Sequence, residues 1–262
     1  MGVRDLWLQQ FREITVVLPT WFLSRSTFDR AGRFPEGSPE EEGEAEDLVF
    51  FYQHIQAFLD SAGDAGGADA AGVGGLPGQS AETGEKIAGR DPGVGAGEGC
   101  IVRVGDETSP VLRYRYLAGS GSWRTPRRKL LRLRAQAFER RILGIRAPGE
   151  EGGASSSEKW STFTVWGAGR DGRQFVAELS PEARARITAI CDVDPKKIGT
   201  EYYNHRLEGP PCRVPIIHFS EVTGPVVVCV SRRRFGDQQE GELEQNVRTL
   251  GNTEGKDLWY FV

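Results

Sequence analysis

The sequence predicts an α/β protein in two unequal parts, and three observations carry that prediction. Over residues 159–262, apolar strand-like runs alternate with amphipathic helical ones: "STFTVW", "GRQFVAEL", "ARITAICDV", "PVVVCVS", "GELEQNVRTL" and "DLWYFV". Strands that alternate with helices build βαβ units and a parallel sheet. The GxGxxG pattern of "WGAGRDG" falls directly after the first of those strands, where such a sheet turns into its first helix. Residues 1–146 carry strand and helix signals of their own, interrupted by a long stretch almost without large apolar side chains. The expected architecture is a partial α/β region over 1–146, a linker at 147–158 and a small Rossmann-like βαβ domain over 159–262.

In the first part, "ITVVLPT" (14–20) reads as a short buried strand ending in a proline turn. "EDLVFFYQHIQAFL" places Leu48, Phe51, Ile55 and Phe58 on one helical stripe. Residues 62–99 are mostly Gly, Ala, Asp and Ser; such a segment cannot bury enough surface to offset its ordering entropy, so it reads as a disordered insertion. "VLRYRYL" (111–117) alternates like a strand. In "TPRRKLLRLRAQAFERRIL", Thr125 reads as the N-cap and Pro126 as the first helical residue, with Leu131, Ala135, Phe138 and Ile142 down one face. "APGEEGGASSSE" (147–158) has linker composition.

The net charge of −4 over 262 residues does not mark a nucleic-acid binder as a whole. The charge is unevenly spread, however. Residues 36–47 are nearly all acids or turn formers, whereas 113–146 carry eleven Lys/Arg against one Glu. The four cysteines show no ligand spacing, and Cys191 and Cys229 lie in apolar runs where a reduced, buried thiol is expected. No run has the length of a signal peptide core or a membrane span, and "MGVRDL" lacks the Ser/Thr of a myristoylation signal. The expectation is a cytoplasmic protein without a membrane partner.

Gly167, Gly169 and Gly172 make the GxGxxG, and Asp192 ends the following strand. In a dinucleotide fingerprint the glycines allow a tight turn and close phosphate approach, and the acid holds a ribose hydroxyl. The competing reading keeps the same turn for packing alone. "DVD" (Asp192–Asp194) is formally a DxD metal motif, although it falls inside the second βαβ unit, and chance matches to three residues are common. His54, His205 and His218 are isolated and read as structural or solvated. By chemistry alone, Glu46 and Asp47 at the start of a helix read first as caps favoured by the helix dipole.

A set of phrases in order changes the weight of that pair: "PTWFLSR", "EDLVFFY", "LRYRYL", "FTVWGAGRDGR", "CDVDPKKI" and "PIIHF". In this order they resemble the family-2 glycosyltransferases, and within them the queuosine-tRNA galactosyltransferase family, across nearly all of the chain outside the insertion. The resemblance implies an inverting transferase on a GT-A fold that moves a hexosyl group, UDP-galactose being the donor, onto queuosine in tRNA. Carried over residue by residue, Asp47 is the general base, Glu46 positions acceptor or base, and Trp21 and Phe22 form an aromatic platform. Arg25, Tyr114 and Arg115 fall in the matching substrate-binding phrases. A divalent metal, Mg or Mn, is expected for the intact family enzyme, but this chain shows no evident site for it.

The chain departs from that family in two ways. The half bearing the first nucleotide-binding strand and the DxD metal site is not matched, and Leu117 stands where relatives carry His. A truncated chain, inactive on its own, is the expectation. The basic helix completes the picture: Arg127, Arg128, Lys129, Arg132, Arg134, Arg140 and Arg141 could offer phosphate contacts to a tRNA acceptor, or be a solvated face. The runner-up, from a different class, is a non-catalytic nucleotide- or NAD-binding module on residues 159–262; a tRNA-binding protein without activity is the third.

Overall fold

The computed structural model describes residues 8, 10–12, 25–34, 45–64 (side chains to 57), 125–146, 159–207, 213–230 and 241–261. The strands expected at 14–20 and 111–117, residues 65–99 of the insertion, the linker at 147–158, and Cys100 and Cys212 lie outside these.

Two helices precede the basic one: α1 (Arg25–Ala31) and α2 (Glu46–Asp64). Residues 62–64, expected to be disordered, form the last turn of α2. Its predicted stripe is buried at Leu48, Phe51 and Ile55, and Phe50 joins it by stacking on Phe34 with ring centroids 4.5 Å apart. The basic helix, α3, runs Arg127–Phe138 and continues as a π-helical turn, Glu139–Leu143. Pro126, not Thr125, takes the cap position, one residue later than expected: its extended ψ of 134° keeps it outside the helix while its carbonyl accepts from Lys129 N.

Then follow β1 (Phe163–Trp166), α4 (Arg170–Glu178), α5 (Pro181–Arg184), β2 (Ile187–Asp192), β3 (Glu201–Tyr203), β4 (Arg213–His218), β5 (Val226–Val228), α6 (Glu242–Thr249) and β6 (Leu258–Tyr260). The strands form one sheet in the order β3-β4-β2-β1-β5-β6. Every pairing is parallel except β3 with β4. The chain thus starts in the middle of the sheet, builds outward through β2 and β4, then crosses back to β5 and β6.

Strand alternation divides the core between two faces. Val165, Ile190, Val227 and Trp259 turn toward the α3 and α4 side, together with Phe175 and Val176. Trp166, Cys191, Val228 and Tyr260 turn toward α6, which supplies Val247. Strands buried on both faces read as continuous apolar runs, as these do.

The core does not divide at residues 147–158. Leu131, Ala135, Phe138 and Ile142 of α3 and its π-turn share one cluster with Phe163, Phe175 and Phe261. Phe138 meets Phe11, Trp160, Phe163 and Phe175 edge-on at 5.5–5.9 Å, a geometry worth about 0.5–1.5 kcal/mol per pair beyond area burial. Residues 10–12 tie α2 to the sheet. Tyr52 donates its hydroxyl to the Gln10 carbonyl (2.8 Å), Phe11 is fully buried against Trp259, and Arg12 pairs with Glu254.

Candidate functional site

The glycine turn is built by contact. Gly167 leaves β1 at φ 117° and donates its N–H to the Cys191 carbonyl of β2 (2.8 Å), which pins the turn to the sheet. Gly172, in the first turn of α4, lies under the Gly167 carbonyl so closely that a Cβ there would sit 1.8 Å from that oxygen. Gly169, at the cap of α4, is open: a Cβ there meets nothing within 4 Å. The turn therefore has one glycine that packing demands and one that faces space. It stands at the carboxyl end of β1, where the strand order reverses, the place ligands take in open α/β sheets.

Asp192 ends β2 beside it and is buried. Its Oδ2 accepts from Ala168 N (2.9 Å) and Lys197 Nζ (3.0 Å), and its Oδ1 accepts from Asp194 N (3.0 Å). A carboxylate has about four lone-pair sites, so Oδ1 keeps one for a hydroxyl of a ligand. Burial pushes this carboxyl's pKa up; the Asp194 N–H, the Lys197 ammonium and the Ala168 N–H outweigh it and hold the group below its ordinary value. A carboxyl lowered by folding contributes stability above its unfolded pKa, and that contribution is lost as pH falls through the folded value. Asp192→Asn is therefore expected to cost about 1.5 kcal/mol at neutral pH and to flatten the loss of stability below about pH 4. Urea unfolding of both forms at neutral and acid pH measures it; equal stability at neutral pH would refute the triple contact.

Asp192 and Asp194 do not fit a divalent cation. Lys197 Nζ lies 3.0 Å from Asp192 Oδ2 and 3.7 Å from Asp194 Oδ2, so an ammonium already stands between the carboxylates. Cys191 and Cys229 are free and buried, as expected. Burial pushes both thiols well up, with Asp192 adding to the effect at Cys191 and Asp171 at Cys229; neither is a nucleophile at neutral pH.

Glu46 and Asp47 open α2, as the sequence implied. Glu46 is exposed and Asp47 half-buried; Asp47 Oδ1 accepts from Leu48 N (2.8 Å). Among the described residues neither carboxylate is ion-paired. One helical turn on, Phe50 stacks with Phe34 and with Phe28 (5.8 Å), an aromatic group that the sequence reading does not assign to the site. Its signal is "STFDRAGRF" ahead of "EDLVFF". Arg25 spends its Nε on both oxygens of Asp29 (2.8 and 3.0 Å), within its own helix. Trp21, Phe22, Tyr114 and Arg115 lie outside the described residues.

The histidines take up structural positions. Burial, then the nearby Arg30, lowers the His54 pKa, so this imidazole stays neutral. His218 caps a short 3-10 turn through Nδ1, 2.7 Å from Ser220 Oγ, and His205 lies beside the Tyr203 ring.

The basic helix is reduced in membership. Arg134 is buried, and Arg141 turns inward to Gln10 Oε1 (2.6 Å) and the Tyr52 carbonyl (2.7 Å), so neither belongs to an outer phosphate-binding face. Arg127, Arg128, Arg132 and Arg140 are exposed and Lys129 is half-buried; Arg127, Arg128 and Arg132 each reach an acid of α4. No family model matches the chain, and no solved structure matches it.

Proposed function

We propose that the protein takes part in hexosyl transfer from a nucleotide sugar, UDP-galactose as donor and queuosine in tRNA as acceptor, with Asp47 as the general base. The observation that carries this reading is the setting of Asp47. It occupies the first turn of α2, half-buried, with Oδ1 hydrogen-bonded to Leu48 N, and lies one turn from a stack of three phenylalanines. Phe28 and Phe34 are half-buried and their rings suit the C–H face of a sugar, whereas Phe50 beneath them is core. The order of family-like phrases supports the same assignment. In this chemistry Asp47 takes the acceptor hydroxyl's proton as that oxygen attacks the anomeric carbon, and the nucleoside diphosphate leaves. Inversion needs one such base. Asp192 and Asp194, with Lys197 between them, do not fit the divalent metal expected of the family. Transfer from UDP-galactose to queuosine-containing tRNA, compared with and without Asp47→Asn in whichever form of the protein transfers sugar, tests the reading.

A second reading is favoured by the glycine turn: a Rossmann-like nucleotide-binding module, with phosphate at the cap of α4 and a ribose hydroxyl on Asp192 Oδ1. The full chain should then gain thermal stability with UDP, NAD or NADP; a tenfold excess over Kd is worth about 1.4 kcal/mol. The full chain is needed because α3 completes the sheet's core. If none of the three shifts the transition at millimolar concentration, the turn serves packing alone.

A further inference from the structure

We infer that the outer sides of α3 and α4 form one basic surface that receives the phosphodiester backbone of a folded nucleic acid. The surface starts from how α3 is seated. Its apolar stripe is buried against the sheet, which leaves Arg127, Arg128 and Arg132 on the side away from the core. They reach across to α4: Arg127 Nη2 to Asp171 Oδ1 (3.0 Å), Arg128 Nε to Glu178 Oε1 (2.6 Å) and Arg132 Nε to Glu178 Oε2 (3.1 Å). From α4 itself, Arg170 Nε approaches the same Asp171 oxygen (3.2 Å). Arg173, exposed on the next turn, binds the Gly169 carbonyl through Nε.

Bridges of this number would ordinarily cancel a face's charge. Burial decides otherwise. The Asp171 and Glu178 side chains are 16 % and 6 % exposed, whereas Arg127, Arg128, Arg132 and Arg170 are 50, 73, 55 and 73 % exposed. The carboxylates lie underneath and the guanidiniums stand outside, so an arriving anion meets cations first. Each guanidinium has five N–H donors, and the bonds named above use few of them. Held from beneath, these side chains lose less freedom on binding than free ones. Five arginines stand over two carboxylates, and the planar guanidinium matches phosphate better than an ammonium does.

The partner's class follows from what the face lacks. A membrane-surface helix needs exposed large apolar side chains beside its cations. Among the described residues the exposed large hydrophobics are Val193 and Tyr203, which lie after β2 and in β3 and not on α3 or α4. Among the described residues neither α3 nor α4 carries an exposed aromatic on which bases of a single strand could stack, so the contact argued for these arginines is to backbone. The inference deepens the acceptor side of the transferase reading but needs no queuosine and no sugar transfer.

The test is titration of a labelled, unmodified tRNA transcript with the full chain over a range of salt concentrations. Arg128→Gln and Arg170→Gln are combined because each acid keeps one arginine, Glu178 with Arg132 and Asp171 with Arg127, which protects the fold. Affinity should fall several-fold, and the log–log salt slope should flatten by roughly 0.7–0.9 for each phosphate no longer neutralised. Glu178→Gln, which removes negative charge from beneath the face, should shift affinity the opposite way. Salt-dependent tRNA binding that follows both variants supports the surface even where no sugar is transferred. Three results overturn it: no binding at low salt, an unchanged slope in the folded arginine variant, or binding to phosphatidylserine vesicles in preference to tRNA.

Discussion

Replacing Gly172 by alanine should lower the thermal midpoint by about 6–12 °C, corresponding to a loss of about 3 kcal/mol in a domain of this size. The added Cβ would stand 1.8 Å from the Gly167 carbonyl oxygen, and both partners are backbone. No rotamer change can relieve that contact. Gly167 cannot readily withdraw either: its N–H is bound to Cys191, and Cys229 N holds the Trp166 carbonyl just before it. Relief therefore requires α4 to move off the sheet, which would open the packing of Phe175 and Val176. Gly169→Ala is the control. Its φ of −85° suits alanine and nothing lies near the new methyl, so it should cost under about 1 kcal/mol. If Gly172→Ala melts as wild type does, α4 does not approach the turn this closely. The control also separates the two roles of the turn: a stable Gly169→Ala that loses nucleotide-dependent stabilisation marks the open side as a ligand surface.

Much of the sheet can be read from the chain because buried parallel strands are written as uninterrupted apolar runs. "TVW", "ITAIC", "VVV" and "LWY" fall in β1, β2, β5 and β6. β3 and β4 are not legible for the opposite reason. "EYY" is three residues long, and "RVPIIH" carries Pro215 in its middle and polar residues at both ends. Pairing with β2, a tertiary fact, makes β4 a strand. Periodicity likewise reveals the apolar stripe of α3 but not its partner, so the sequence groups this helix with the first part of the chain although it packs on the sheet. The arginines illustrate the limit of charge as a guide. Arg134 and Arg141 turn inward although Arg128 and Arg132, also three residues from a stripe position, stay exposed, so spacing and charge do not tell them apart.

The site shows the same division between local and distant information. The glycine turn, Asp192 and the start of α2 at Glu46 are consequences of a few adjacent residues, and the structure has them where the sequence placed them. Lys197 between the carboxylates of "DVD", and the buried carboxylates beneath the arginines of α3, depend on how separate elements meet. Those contacts turn a formal metal motif into an ion pair and a solvated helix into an organised basic face.

Asp47→Asn is expected to lower kcat for sugar transfer by roughly 10²–10⁴, the worth of a positioned general base, in whichever form of the protein transfers sugar. The substitution keeps size and hydrogen-bonding shape, and the amide oxygen can still accept from Leu48 N, so α2 should form as before. What it removes is the capacity to take a proton from the acceptor hydroxyl as its oxygen attacks the anomeric carbon. If Asp47 acts in that step alone, affinity for the nucleotide sugar should stay within about twofold, while kcat and kcat/KM fall together. Glu46→Gln gives the contrast: a positioning role predicts a smaller loss, concentrated in KM for the acceptor. Equal turnover by wild type and Asp47→Asn would remove Asp47 from the chemistry and return the pair to a helix cap. A large loss at Glu46 with none at Asp47 would exchange their roles, leaving the start of α2 as the catalytic position but assigning the proton transfer to its more exposed carboxylate.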